Sequence, residues 1–134
     1  MQISKSIKDD LIRHAISEMP NECCGILGSR EGVAVKLYPI TNVEQSPYRY
    51  SMDGKQVLNA YNEIEDNGWE LGAIYHSHTH TPAFPSSTDV RLATWPDAEY
   101  MLISLMDKEN PQIRNFWIVD GEISEAPLIV SDTV

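Results

Sequence analysis

The sequence predicts a mixed α/β fold in which helices flank a central β-sheet. Two segments carry apolar residues at helical spacing, and several short apolar or alternating segments between turn residues have the pattern of strands. These helical and strand patterns alternate along the chain. The 134 residues, 42% of them hydrophobic, suffice for one core, so we expect a single domain over residues 1–134.

The first half of the chain is predicted to contain a helix, a β-hairpin and a short strand. Apolar residues recur every three or four positions before Pro20, where a helix must end. The polar residues 29–32 lie between two short apolar segments and are typical of a hairpin turn. The predicted elements are a helix over 6–19, strands over 24–28 and 33–38, a polar loop over 42–47 and a short strand over 48–52.

The second half is predicted to contain two helices and four strands. One helical pattern ends at Asn67-Gly68, a pair that favours a helix C-terminus. The apolar segment before His76 is typical of a buried strand, and Asp120-Gly121 favours the tight turn of a terminal hairpin. The predicted elements are a helix over 53–66, a strand over 71–75, a loop over 77–85, a short helix over 87–94, and strands over 100–105, 112–119 and 122–130.

The charge of the chain restricts its partners. The formal net charge is −10, from 20 acidic and 10 basic residues, and the basic residues are scattered. Binding to nucleic acid or to an anionic membrane surface depends on patches of Lys and Arg. We therefore expect no nucleic acid and no membrane among the partners.

The N-terminus and the cysteines indicate the compartment. The first ten residues lack the apolar segment of a secretory signal, and no segment approaches the roughly 18 apolar residues of a membrane span. Cys23 and Cys24 are adjacent, and a disulfide between neighbouring residues is strained. We interpret them as two small buried residues in a reducing compartment, so the sequence predicts a cytoplasmic protein.

Histidines at positions 76, 78 and 80 follow directly after a predicted buried strand. In an extended chain His76 and His78 point to the same face, with Cα atoms roughly 6.6 Å apart. Two imidazoles at that spacing can share one zinc ion at Zn–N distances of about 2.0–2.1 Å. The pattern predicts a metal site at a strand end, and two polar residues at a strand end are the alternative interpretation.

A third ligand has two candidates. His80 continues the alternation and would complete a three-histidine site, whereas Asp89 would complete a site of two histidines and a carboxylate. We favour Asp89 and interpret His80 as a loop residue at the rim. Ser86-x-x-Asp89 is also a helix N-cap pattern, and a capped first turn would hold Asp89 rigidly. Three protein ligands leave a fourth position for water, as catalytic zinc sites require.

Glu22, far upstream at the start of the first predicted strand, is a candidate general base. Water at a catalytic zinc needs a base, and a carboxylate is the usual choice. From the residues alone Glu22 is one of 20 acidic residues, and a solvated side chain after a helix is the alternative interpretation.

Together these residues resemble one motif. Glu22, then His76-Ser77-His78, then seven residues, and then Ser86-x-x-Asp89 resemble the signature of the JAMM (MPN+) metalloproteases, with the spacing of that family. Further segments resemble the small bacterial branch of the family. They are residues 22–27, 42–47, 75–78, 84–90, 96–98 and 118–121.

The resemblance implies a fold and a set of roles. The fold would be the MPN fold, a curved and mostly antiparallel sheet flanked by helices, similar to the cytidine-deaminase-like sandwiches. His76, His78 and Asp89 would bind one catalytic Zn²⁺. Glu22 would deprotonate the attacking water and pass the proton to the leaving amine. Ser86 would donate a hydrogen bond to the oxyanion.

The resemblance to the small bacterial branch implies a substrate. It would be a ubiquitin-like sulfur carrier protein whose C-terminal Gly-Gly is joined to an amino acid, and cysteine is the expected product. A Gly-Gly tail suits a narrow cleft, because glycine alone lets a chain pass between close walls. The reaction would serve cysteine or related sulfur metabolism.

Four alternatives are weighed against that expectation. A deubiquitinase-like isopeptidase of the eukaryotic type would carry insertions with an additional zinc site, for which 134 residues and two cysteines leave no room. The DNA-repair-associated branch has Pro-Ser-Gly after the second histidine, where this chain has Thr79-His80-Thr81. A non-catalytic MPN scaffold would have lost the ligands. A cupin-type site belongs to a fold made almost entirely of strands, which the predicted helices disfavour.

Three residues depart from the family pattern. His80 is an additional histidine, Phe84 stands where related chains often carry Tyr, and Cys23 doubles the expected single cysteine. We expect these residues to alter the rim of the site and the detail of the substrate, with the reaction unchanged. The loop over 79–85 is the natural candidate for a gate.

Overall fold

The computed structural model describes residues 1–132 and contains three helices and one eight-stranded sheet within them. Residues 133 and 134, at the end of the predicted domain, lie outside the described residues. The elements in chain order are β1 (Gln2–Ser4), α1 (Lys5–Ser17), β2 (Cys24–Arg30), β3 (Val33–Ile40), α2 (Gly54–Asp66), β4 (Glu70–His78), α3 (Ser87–Leu92), β5 (Glu99–Ser104), β6 (Gln112–Val119), β7 (Glu122–Ala126) and β8 (Ile129–Ser131).

The sheet is curled and mostly antiparallel, as the resemblance implied. The strand order is β7-β6-β5-β4-β2-β3-β1-β8, and four of the seven neighbouring pairs are antiparallel. β7 and β8 form opposite edges, although only residues 127 and 128 separate them in sequence. Three Cα–Cα steps span at most roughly 11 Å. The two edges must therefore come close together, which requires a curled sheet.

The two long helices pack on opposite faces of the sheet. Leu11 and Ala15 of α1 join the core on the face that includes Tyr75. Ala60 and Ile64 of α2 join a second core that includes Cys24. Both helices begin at a side-chain cap, as Ser4 Oγ accepts a hydrogen bond from the Ile7 amide and Asp53 caps α2 in the same way. None of the helices in residues 1–132 has the length and apolar character of a membrane span.

Cys23 and Cys24 are both buried free thiols, which confirms that they are small residues of the interior. Burial raises the pKa of each thiol to about 12. Both groups therefore remain protonated at neutral pH.

Three predicted strands differ in the structure. The strand predicted to end at 75 continues to His78, because Ser77 and His78 find parallel partners in Ile103 and Ser104 of β5. The polar residues of this segment suggested a loop, but the sheet continues beside them. No strand forms over 48–52, where the structure has only an isolated bridge between Asn42 and Met52.

The predicted strand over 122–130 is two strands. Pro127 lacks the amide hydrogen that a strand needs, and the chain leaves β7 there. β8 then pairs in parallel with β1, a three-residue strand that the sequence pattern missed. The other predicted helices and strands agree with the structure to within two residues at each end.

A hydrogen bond between His14 and Tyr75 links α1 to the central strand β4. His14 Nδ1 lies 2.7 Å from the Tyr75 hydroxyl, and its Nε2 lies 3.6 Å from Glu18 Oε1. Burial lowers the pKa of His14, and the nearby Glu18 carboxylate opposes that effect. Because the pKa is lower in the folded protein than its ordinary 6.5, the unfolded chain binds a proton more readily.

We expect the His14→Gln variant to lose less stability on acidification than the unmutated protein. The contribution of His14 is fully present above its unfolded pKa of 6.5 and is lost as the pH falls toward the lower folded value. Denaturant unfolding of both metal-free proteins between about pH 7.5 and 5.5 measures the difference. Equal losses for the two proteins would contradict the prediction.

Candidate metal centre and active site

β4 presents His76 and His78 on one face of the sheet. The strand lies between β2 and β5, where His76 pairs with Cys24 on one side and with Leu102 on the other. Both imidazoles are buried, at 1% and 5% exposure, and their ring centroids are 5.1 Å apart. The structure thus brings the two histidines together by the strand alternation on which the sequence prediction rested.

Asp89 reaches the same point from the first turn of α3. Its Oδ2 lies 2.9 Å from His78 Nε2 and 3.2 Å from His76 Nε2. The possible ligand atoms of the three residues all lie within 4.8 Å of one another. His80 is outside this group and is exposed.

A capping box holds Asp89 in place. Ser86 Oγ accepts a hydrogen bond from the Asp89 amide at 3.1 Å, and Asp89 Oδ2 accepts one from the Ser86 amide at 2.9 Å. The cap and the metal-ligand interpretations are therefore compatible, since the helix start that caps α3 also aims the carboxylate at the histidines.

Backbone and aromatic contacts fix the histidine rings. His78 Nδ1 lies 2.9 Å from the Pro82 carbonyl oxygen, so Nδ1 carries the proton and Nε2 keeps its lone pair toward Asp89 when His78 is neutral. The His76 ring stacks on Tyr50 with centroids 4.5 Å apart and planes inclined by 26°. Both His76 nitrogens are buried and make no hydrogen bond within the described residues. They are unsatisfied donors or acceptors at the point where a ligand would be expected.

Glu22 lies buried beside this group, with 4% of its surface exposed. Its Oε1 is also buried without a hydrogen-bond partner among residues 1–132. The pKa of Glu22 is raised to about 8, mainly by burial; the charge of His78 opposes this rise, and the charge of Asp89 adds to it. A carboxyl group with a pKa near neutrality can both accept and donate a proton.

Opposing effects act on the three clustered side chains. Burial would raise the pKa of Asp89, but the close contacts of its Oδ2 with the His76 and His78 imidazoles outweigh burial and hold that pKa below its usual range. Burial lowers the pKa of His76, whereas for His78 the contacts with Asp89 and Pro82 outweigh burial and raise the pKa. The cluster thus keeps an ionised carboxylate next to a neutral His76, a donor set that suits a divalent cation.

Ser86 and a cleft border the cluster on the solvent side. Ser86 is exposed, and its Oγ uses a lone pair to accept from the Asp89 amide, so the hydroxyl proton can point toward a ligand. A cleft of about 610 Å³ begins at Tyr50 and Thr88, which are neighbours of His76 and Asp89 respectively. Its apolar and aromatic lining includes Met52, Val57, Ile74, Leu92, Trp95 and Tyr100.

Three contributors to the site were not predicted. Tyr50 stacks on His76, the Pro82 carbonyl orients His78, and the Asn42 side chain contacts the backbone of Glu22. Tyr50 and Pro82 carry no sequence signal for these roles, because each contact depends on the path of a loop. Asn42 lies in the 42–47 segment that resembles the small bacterial branch, and that segment was the available signal.

Comparison with known proteins identifies the family. Residues 4–119 match the family described as prokaryotic homologs of the JAB domain. The chain is 40% identical over 130 residues to the CysO-cysteine peptidase of Mycobacterium tuberculosis, covering 96% of this chain and 89% of the relative. It is 33% identical over 96 residues to a probable TtuB-protein conjugate cleaving protease of Thermus thermophilus, covering 71% of this chain and 64% of the relative.

Solved structures agree with this result. A solution structure of a protein from Desulfitobacterium hafniense has a TM-score of 0.90 and 35% identity, covering 99% of this chain and 94% of that one. A crystal structure of a JAB1/MPN domain protein from Archaeoglobus fulgidus has a TM-score of 0.67 at 22% identity, covering 97% and 98%, and shows a shared fold. The chain therefore belongs to the prokaryotic branch of the JAB/MPN domain family, and it is a peptidase of that family.

Proposed function

We propose that this chain is a zinc metallopeptidase that hydrolyses the bond after the C-terminal Gly-Gly of a ubiquitin-like sulfur carrier protein and releases cysteine. The observation that carries the proposal is the cluster of His76, His78 and Asp89 with the buried, unpartnered Glu22 beside it.

The cluster fits a zinc ion. Ligand atoms about 2.0–2.2 Å from a tetrahedral zinc are roughly 3.4 Å from one another. The Asp89 Oδ2 distances of 2.9 and 3.2 Å to the two histidine Nε2 atoms are close to that value. His76 Nε2 has no competing hydrogen bond, and the contact of His78 Nδ1 with Pro82 leaves Nε2 available. His76, His78 and Asp89 would hold the ion, and Glu22 and Ser86 are the neighbouring residues that would serve the reaction.

The surrounding residues would carry the proton transfers and bind the developing charge. Zinc bound here would supply Lewis-acid chemistry, polarising the scissile carbonyl and lowering the pKa of water toward about 7. Glu22 would accept a proton from the attacking water and donate it to the leaving amine. Ser86 would donate its hydroxyl hydrogen to the oxygen that becomes negatively charged, because accepting from the Asp89 amide leaves that hydrogen free to donate.

The substrate assignment is supported by the relatives and by the shape of the site. One relative is named as a CysO-cysteine peptidase and another as a protease that cleaves TtuB-protein conjugates. Tyr50 covers one side of the cluster by stacking on His76, which narrows the approach to the metal position. Paired glycines would pass such a narrow approach where larger residues would not.

The test is intact-mass spectrometry of a carrier ending in Gly-Gly-Cys, incubated with the zinc-loaded protein. The carrier is expected to lose the cysteine residue and to end in Gly-Gly. Metal-free protein should leave the carrier intact, and added zinc should restore cleavage. An intact carrier in the presence of protein with one zinc bound would reject this substrate, and protein that binds no zinc would instead support a non-catalytic scaffold.

A second candidate is an isopeptidase acting on a carrier joined through Gly-Gly to a lysine side chain. The Thermus thermophilus relative, named for cleaving protein conjugates, favours it. The same assay with a lysine-linked carrier decides between the two, since each candidate predicts faster cleavage of its own substrate. Preference for the lysine-linked carrier would overturn cysteine release as the main activity.

We expect Ser86→Ala to reduce kcat by about 10²–10³-fold through loss of the oxyanion donor. The same change removes the N-cap of α3, which should cost about 1 kcal/mol of stability. Ser4→Ala is the matched control, because Ser4 caps α1 in the same way but lies on another element. Steady-state rates and unfolding midpoints of both variants separate the two roles, and a Ser86→Ala rate equal to that of Ser4→Ala would remove Ser86 from catalysis.

A further inference from the structure

The side chain of Asn42 is the centre of the loop over residues 41–53. Its Oδ1 accepts hydrogen bonds from the Glu44 and Ser51 amides, each at 3.0 Å. Its Nδ2 donates to the Arg49 carbonyl at 3.1 Å and to the Glu22 carbonyl at 3.0 Å. These four bonds use both hydrogens of the amide nitrogen and both lone pairs of the amide oxygen.

This pattern fixes the orientation of the Asn42 amide. Backbone amides can donate only to its oxygen, and backbone carbonyls can accept only from its nitrogen. A flipped side chain would place the NH₂ group against two backbone amides and the oxygen against two backbone carbonyls, so all four hydrogen bonds would be lost. The loop therefore has one arrangement around Asn42, and that arrangement is tied to Glu22.

Glu22 depends on this loop for its position. It lies between the end of α1 and the first residue of β2, outside both elements. Its carbonyl accepts from Asn42 Nδ2, and its amide donates to the Ser46 carbonyl at 2.9 Å. The loop thus binds the backbone groups on both sides of its Cα, and the Cys23 amide of the following peptide group also donates to Ser77 Oγ. The carboxylate Oε1 has no hydrogen bond among the described residues that could hold the side chain directly.

The same loop contacts two other parts of the site. Tyr50 stacks on His76, and the Pro47 carbonyl lies 3.4 Å from Thr79 Oγ1, next to the strand end that carries His78. A displacement of the loop would therefore move the carboxylate of Glu22 relative to the histidines.

We propose that Asn42 is a positioning residue that sets the distance between the Glu22 carboxylate and the metal cluster. The inference builds on the proposed function, in which Glu22 is the general base. Within residues 1–132 the four hydrogen bonds of the Asn42 side chain all go to backbone atoms, so its effect on the reaction passes through Glu22 and the loop.

The test variant is Asn42→Asp. The carboxylate keeps an acceptor for the Glu44 and Ser51 amides but cannot donate to the carbonyls of Glu22 and Arg49, and it repels both of them. We expect kcat to fall by about 10–100-fold, with KM and the zinc content nearly unchanged. Asn67→Asp is the matched control, because Asn67 Nδ2 also donates to a backbone carbonyl, that of Glu63, at the far end of α2. A normal kcat for Asn42→Asp, or an equal fall for Asn67→Asp, would overturn the proposal.

Amide hydrogen exchange tests the link between the Asn42 loop and Glu22 without a measurement of activity and without a variant. In the unmutated protein the amides of Glu22, Glu44 and Ser51 should open together, with the same dependence on denaturant, while Ile26 in the middle of β2 opens separately. Independent exchange of Glu22 would reject the link even if Asn42→Asp failed to fold. If the protein cleaves neither carrier, the proposed function fails, and the exchange result still decides whether Asn42 holds Glu22.

Discussion

Glu22→Gln is expected to stop hydrolysis while the metal stays bound. Glutamine has the same size as glutamate and can occupy the same buried position, but its amide cannot accept a proton from water. Removal of a positioned general base typically costs about 10²–10⁴ in rate. Zinc content should remain at the level of the unmutated protein, because the proposed ligands are His76, His78 and Asp89. Steady-state rates check the loss of hydrolysis, and metal analysis of the purified variant checks that zinc is retained.

The same substitution should raise the stability of the metal-free protein. The pKa of Glu22 is raised from 4.5 to about 8, so folding disfavours the ionised form. Such a group destabilises the fold increasingly as the pH rises from its unfolded value toward about 8, and glutamine removes that effect. Glu18→Gln is the matched control, since Glu18 lies close by in sequence at the exposed C-cap of α1. A stable, zinc-loaded Glu22→Gln protein with the rate of the unmutated one would exclude Glu22 as the base.

The part of the site that comes from local sequence could be predicted. His76 and His78 lie on one face because a strand alternates, and β4 extends through both residues. Asp89 and Ser86 follow a capping pattern that the structure contains, with both of its hydrogen bonds. In each case the geometry depends on residues within three positions of one another, so the chain itself carries the information.

The burial of Glu22 could not be predicted from nearby residues. Cys23 and Cys24, which follow it, were expected to be buried, but that expectation does not bury the charged side chain before them, and the alternative interpretation was a solvated residue after a helix. In the structure Glu22 is buried, and its backbone is hydrogen-bonded to Asn42, 20 positions away, and to Ser46, which lies further still along the chain. Only the resemblance to a family motif could select it from the acidic residues of the sequence.

The pairing of the edge strand β8 with β1 also could not be predicted from local sequence. The pairing of β1 with β8 joins residues 2–4 to residues 129–131, and neither segment is long enough to show a period. The curl that closes the sheet depends on that pairing. The longer strand β6 was predicted with the bounds that the structure has.

Gly25→Ala is expected to destabilise the fold and to disturb the metal centre. Gly25 pairs with Tyr75 across β2 and β4, and a Cβ at this position would lie 2.3 Å from two carbons of the Tyr75 ring. The ring cannot easily move, because it is fully buried and its hydroxyl lies 2.7 Å from His14 Nδ1. Overpacking of this kind typically costs about 1–3 kcal/mol, and loss of the hydrogen bond would add about 1 kcal/mol. Because Tyr75 precedes His76, the variant should also bind zinc more weakly, as denaturant unfolding and a zinc titration would show.

Two further variants separate the overlap at Gly25 from a general effect of alanine. Gly54 begins α2, and apart from its chain neighbours and its own helix backbone no heavy atom of residues 1–132 lies within 4 Å of the position that a Cβ would take there. Gly54→Ala should therefore keep or raise stability through its helix propensity. Gly25→Ala adds a methyl group that overlaps the Tyr75 ring, and Tyr75→Ala removes that ring. If the overlap causes the loss, adding Gly25→Ala to Tyr75→Ala should cost much less than adding it to the unmutated protein, because the two sites are in contact. If the stability losses of the two variants are additive, the cause lies elsewhere in β2. The zinc affinity of the double variant would then show whether Tyr75 alone sets the position of His76.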